Sequence, residues 1–176
     1  MRKEQEEFLY EKELRALSSA KIDYVVCGGA AVVMFGFTRM TIDLDLIVSL
    51  EKDNLSKLYD ILSQLGYKAR VPVKKDEFIQ KEILAKLAKE KNMKVLSFYD
   101  PKDSFKTIDI GVNLPNTDEI LKRKKFIKAG NFNIPIIFID DLIKMKKDLA
   151  RPKDIIDVEN LKKIKQKQNE KKRQIR

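Results

Sequence analysis

The chain has 176 residues, with Lys+Arg 37 against Asp+Glu 27, a formal net charge of +10 and no His. That length fits one domain whose core needs no disulfide or structural metal. The lack of His excludes His bases, His metal ligands and Ser-His-Asp triads, and the single Cys27 excludes a disulfide framework and a Cys-based zinc site.

The positive charge is unevenly spread. From Val158 to Arg176 eight Lys/Arg stand against Glu159 and Glu170, a net of +6, so residues 1–157 hold only +4. We read residues 1–165 as one domain and 166–176 as a basic, flexible tail. No apolar run approaches the ~18 residues of a membrane span, and the charged Met1–Lys12 stretch lacks a signal-peptide core. A cytoplasmic protein with no membrane partner is expected, and any catalysis must rest on carboxylates, Lys/Arg, hydroxyls, backbone amides or an oxygen-held metal.

Glu4–Ala20 carries Phe8, Leu9, Leu14 and Leu17 among charges and predicts an amphipathic helix. Ile22–Cys27 predicts a short strand stopped by Gly28-Gly29. Ala30–Phe35 predicts a buried helix ended by Gly36. Thr41–Val48 alternates, placing Ile42, Leu44, Leu46 and Val48 on a core face and Asp43 and Asp45 on the other. Asn54–Leu65 is a helix stopped by Gly66, and Tyr67–Val73 is an edge segment because of Pro72. Asp76–Lys91 predicts one helix. Lys94–Tyr99 and Phe105–Val112 form a hairpin across the turn residues 100–104. Thr117–Ile127 reads as helical and Asn131–Phe138 as the last strand. Asp140–Leu149 and Pro152–Ile164 close the chain as helices. The order implies a mixed α/β (α+β) sheet domain with a helical C-terminus.

The residues with chemical promise lie in three places. Asp43 and Asp45 share one strand face roughly 7 Å apart, where two carboxylates repel unless a cation joins them. A hard cation such as Mg²⁺ takes one or two carboxylates and leaves positions for phosphate oxygens. Gly28-Gly29, between a strand and a helix start, lets backbone amides approach an anion. Alone, a D-x-D is a common solvated strand face and a Gly-Gly an ordinary turn; together they place a phosphate cradle beside an acidic pair. Asp109, between Ile108 and Ile110 on another alternating segment, is either an exposed strand residue or a third acid. If its strand adjoins that of Asp43, three carboxylates converge as a two-metal site requires.

Gly28-Gly29, Ala31, Gly36, Arg39, Thr41 and Asp43-Leu44-Asp45 together resemble the signature of the nucleotidyltransferase superfamily related to DNA polymerase beta: a Gly-[Gly/Ser] turn, a spacer, an Asp-x-[Asp/Glu] pair and a later lone acid. Asp141-Leu142-Ile143-Lys144-Met145-Lys146 and Arg151-Pro152-Lys153-Asp154-Ile155-Ile156-Asp157 resemble the C-terminal stretches of minimal AbiEii-type members. The resemblance runs over Ile22–Leu161, and residues 66–99 match nothing in it.

The resemblance implies a nucleotidyltransferase fold and transfer of a nucleoside monophosphate from an NTP to an acceptor hydroxyl. It implies Mg²⁺ or Mn²⁺ on Asp43, Asp45 and Asp109, with Asp109 also a candidate base. It implies a phosphate loop at Gly28 and Gly29, with Arg39, Thr41 and Lys146 toward the nucleotide. Arg39 also fits a solvated residue before a strand, and Thr41 a strand start. Asp154 and Asp157 are placed to orient Arg151, Lys146 or the base, and Asp154 also suits a helix N-terminus. AbiEii-type relatives include toxins of toxin–antitoxin pairs, some acting on tRNA 3′ ends, so RNA through the basic tail and an antitoxin protein are candidate partners. Other members modify proteins or small molecules. The rival readings are a non-catalytic nucleic-acid-binding module of the same fold and, less suited to so short a chain, a D-x-D glycosyltransferase.

Overall fold

Apolar positions in the chain settle into a seven-stranded mixed sheet and eight helices in the computed structural model, which describes residues 9–174. The predicted first helix is present as α1 (Glu11–Ser19), burying Leu14 and Leu17; Glu4–Phe8 lie outside the described residues. Strand β1 (Tyr24–Val26) is buried throughout. It leads into α2 (Gly28–Met34), whose small residues Gly29, Ala30 and Ala31 let it sit close to the sheet. Gly36, at φ +106, ends α2, with its amide and that of Phe37 returning to the Val33 and Val32 carbonyls.

Strand β2 (Leu44–Val48) keeps the expected alternation only from Leu44 onward. Thr41–Asp43 precede it, and Ile42, expected on the core face, is 41% exposed. Helix α3 (Lys52–Gln64) buries Leu55, Leu58 and Leu62 at the predicted spacing. Truncating such a fully buried leucine to Ala costs about 2–5 kcal/mol. The edge segment is a two-residue strand, β3 (Lys68–Ala69). The predicted helix over 76–91 is two: α4 (Lys75–Phe78) and α5 (Lys81–Glu90), separated where Gln80 takes an extended backbone. Strands β4 (Val95–Asp100) and β5 (Asp103–Gly111) form the predicted antiparallel hairpin.

The segment predicted as one helix over 117–127 divides. Helix α6 (Thr117–Lys122) stops early, and β6 (Lys125–Ala129) pairs with β7 (Phe132–Ile136) across Gly130-Asn131. A two-residue Gly-Asn link is hairpin chemistry, and it outweighs the short helical pattern before it. Helices α7 (Ile139–Leu149) and α8 (Pro152–Gln174) pack on each other, α8 burying Val158 and Leu161. Helix α8 runs ten residues past the predicted end at Ile164. Among the described residues no helix is long and apolar enough to cross a membrane.

The sheet order is β3-β4-β5-β2-β1-β7-β6. The pairs β2/β5 and β1/β7 are parallel and the rest antiparallel. This order sets the β1–α2 turn beside β2 and sets β2 beside β5, which brings the three sequence features together.

Candidate active site

The turn after β1 is built around Asp45. Gly28 sits at φ +58, and a Cβ there would lie 1.9 Å from Asp45 Oδ2. No side chain fits while Asp45 keeps this position, and the left-handed backbone itself favours glycine. The Gly29 amide donates to the same oxygen at 3.3 Å. A Cβ on Gly29 would lie 2.4 Å from Thr41 Oγ1 and 2.7 Å from Arg39 Nη2. The Gly-Gly pair thus admits the aspartate from one side and the Arg39–Thr41 segment from the other.

Asp45 and Asp109 are directly paired in the parallel register of β2 and β5. Burial raises the Asp45 carboxyl to about 6; the Asp109 and Asp43 charges add to this, while the Gly29 hydrogen bond and Lys146 oppose it. Burial also raises Asp109, with Asp43 adding and with Ser97 and Arg70 opposing. Among the described residues, Asp109 Oδ1 is buried without a hydrogen-bond partner. Asp43, immediately before β2, is exposed and lines the same cleft as the other two. Tyr10 fixes this segment: its hydroxyl lies 2.6 Å from the Ile42 carbonyl oxygen and accepts the Thr107 amide at 2.9 Å.

Opposite the acids stands a chain of ion pairs. Lys146 Nζ lies 3.0 Å from Asp154 Oδ1 and 2.9 Å from Asp157 Oδ2. All three residues are buried. Asp157 also holds Arg39, with Nη2 donating to Oδ2 at 3.1 Å and Nε 2.9 Å from Oδ1. Arg151 Nε donates to Asp154 Oδ2 at 2.6 Å. Burial pushes Asp154 upward, but hydrogen bonds from Arg151 and Lys146 outweigh it and hold the carboxyl down at about 2. The spacing of Asp154 and Asp157 along α8 lets two carboxylates grip one lysine of α7 from the same helix face.

These residues surround one cleft of about 540 Å³, lined by Gly28, Gly29, Arg39, Thr41, Asp43, Asp45, Asp109 and Lys146. Asp154, buried behind Lys146, does not line it. The cleft also contains Lys94 and Lys153, which sequence reasoning did not place there, and Arg151, expected only as a residue that Asp154 or Asp157 orients. Arg151 and Lys153 stood inside a quoted motif, so their signal was present; Lys94 had none beyond its position at the head of a strand. Among the described residues no three His, Cys, Asp or Glu side chains are gathered tightly enough to hold a metal ion by themselves. The Asp45–Asp109 pair, with hard oxygen donors, raised carboxyls and one unpartnered oxygen, nevertheless fits a cation that draws its remaining ligands from phosphate or water.

No protein-family model and no curated protein matches the chain. Among solved structures it is similar to the lincosamide antibiotic adenylyltransferase LnuA with lincomycin bound, at 17% identity and a TM-score of 0.59, covering 87% of this chain and 94% of that one. It is similar to an antigenic nucleotidyltransferase-like protein from Paracoccidioides brasiliensis, at 15% identity and a TM-score of 0.50, covering 85% and 72%. It is also similar to ANT(2″)-Ia in complex with adenylyl-2″-tobramycin, at 14% identity and a TM-score of 0.50, covering 85% and 83%. These likenesses, with the sheet order and the helices around it, give the chain the nucleotidyltransferase fold.

Proposed function

We propose that the chain is a nucleotidyltransferase that moves a nucleoside monophosphate from an NTP onto an acceptor hydroxyl. The observation that carries this reading is the Asp45–Asp109 pair, adjacent across β2 and β5, facing a cleft that also holds Gly28-Gly29 and several fixed cations. Asp43, Asp45 and Asp109 would hold Mg²⁺ or Mn²⁺. When bound, the ion would neutralise phosphate charge and make the acceptor oxygen a better nucleophile.

The side chains divide the remaining work. Lys146, held by two buried carboxylates, and Arg39, held by Asp157, present positive charge that needs no reorganisation when a triphosphate arrives. Lys94, Arg151 and Lys153 add charge along the same cleft. The acceptor oxygen bonds to the α-phosphorus, and the bond from that phosphorus to the bridging oxygen breaks. Pyrophosphate leaves with the electron pair. The hydroxyl proton passes to Asp109, whose Oδ1 has no hydrogen-bond partner among the described residues.

The closeness to AbiEii-type enzymes, a toxin role and a cytoplasmic location belong to this same proposal. Incubating the full chain with each labelled NTP, Mg²⁺, and separately total RNA, cell protein or small metabolites tests it. Label transferred to one class is the expected result, and it names the acceptor. No transfer and no divalent-dependent NTP binding would overturn the reading; tight RNA binding without either would favour the non-catalytic module.

A further inference from the structure

Beside the acidic cleft lies a second cavity of about 480 Å³. Its walls are apolar: Leu14 from α1, Ala30, Val33 and Met34 from α2, and Ile127 and Ile134 from the β6–β7 hairpin. The volume is that of a small-molecule site. The two cavities share Arg39, Met40, Thr41 and Asp43. Among the described residues, Arg39 and Asp43 are the only charged ones lining the second cavity, and both stand on this shared edge.

Its mouth is apolar as well. Leu9 is 47% exposed, Val33 38% and Met40 86%. Large hydrophobics left exposed around a concavity mark a surface used for binding. Tyr10, on the same wall, has its hydroxyl engaged by the Ile42 and Thr107 backbone and offers no free polar group inward. A phosphate chain or a polyamine placed here would lose its water against walls that return no hydrogen bonds. An apolar body would not, and its polar end would find partners only at the edge shared with the acidic cleft.

We infer that this cavity binds the acceptor, an uncharged small molecule with an apolar body and a hydroxyl at one end, and delivers that hydroxyl beside Asp43. The inference rests on the transfer reading above and names its substrate class. It places acceptor recognition on α1, α2 and the β6–β7 hairpin, with Arg39 on the shared edge the one triphosphate-facing cation, among the described residues, that also lines the cavity.

The test uses the full chain and two probes: Nile red as a fluorescent reporter of the apolar cavity, and octyl glucoside, below its micelle-forming concentration, as a hydroxyl-bearing amphiphile. Saturable Nile red binding, displaced by octyl glucoside, is expected in the unmodified protein. Val33→Trp at the mouth and Ala129→Trp on the opposite wall should each weaken it about tenfold or more by filling the space, with Mg²⁺-dependent binding of labelled NTP retained. Labelled monophosphate should reach octyl glucoside in the unmodified protein and fall in both variants. Absence of saturable probe binding in the unmodified protein overturns the inference. So does equal probe binding in folded variants, or transfer to RNA or protein that both variants leave undiminished. Failure of NTP binding in the unmodified protein would instead remove the transfer reading, and probe binding is measured without NTP.

Discussion

Two groups of ionisable residues meet at the cleft, one on its strands and one reaching behind its wall, and they are balanced in opposite ways. On the strands, Asp45 and Asp109 stand side by side with only partial compensation, and burial drives both carboxyls upward. Behind the helices, Arg39, Asp157, Lys146, Asp154 and Arg151 alternate in sign, each carboxylate gripping two cations, and Asp154 is held at about 2. The first group carries charge that the fold leaves uncompensated; the second is complete within the chain. An arrangement that leaves one half-buried pair short of positive charge, next to cations locked in place, is organised for a ligand that brings a cation and phosphates together.

The contrast can be broken most forcefully on the helical side. Lys146→Ala leaves Asp154 and Asp157 buried without their shared partner, and should cost about 3–5 kcal/mol in a denaturant melt. A loss under ~1 kcal/mol, the range of an exposed pair, would show that the ion chain is not buried as described. Gly28→Ala touches the strand side. The left-handed backbone alone should cost about 1–2 kcal/mol, and the new Cβ must push Asp45 from its place. Weakened divalent-dependent NTP binding should accompany the lower melting temperature; a melting change with unaltered binding would separate the turn from the site.

The finest test is pH, where the two groups have opposite signs. Asp45, raised to about 6 in the fold, contributes stability that is present at low pH and lost as pH rises through about 6. Without divalent ions, Asp45→Asn should therefore melt higher than the unmodified protein at pH 8, and the difference should shrink toward pH 4. Asp154, held at about 2, contributes stability present above its ordinary value near ~4 and lost as pH falls toward ~2. Asp154→Asn should remove that acid limb. Parallel pH profiles for the two variants would contradict the comparison.

Much of this site was legible in the sequence. The alternation around Asp109 and the run from Leu44 to Val48 located two strands, and their parallel pairing set Asp45 opposite Asp109. The Gly-Gly turn was legible because only residues without side chains fit against Asp45. The spacing of Asp154 and Asp157 likewise pointed to Lys146 and Arg151. What alternation could not show was where β2 begins: Tyr10, distant in sequence, holds the Ile42 carbonyl and keeps Asp43 ahead of the strand. Strand β6 was hidden because its stability comes from pairing with β7, while its local pattern still allowed a helix. The second cavity was hidden for the same reason, since its walls come from α1, α2 and β6–β7 and meet only in the fold.

Asp45 and Asp109 form an acidic pair that a cation and a triphosphate would complete. Calorimetric titration of an NTP into the unmodified chain and into Asp45→Asn, each with Mg²⁺ and with chelator, tests it most directly. Binding that needs Mg²⁺ and is lost in Asp45→Asn is expected, with the variant folded by its melt. Equal binding in both proteins, or binding that chelator leaves untouched, would contradict it.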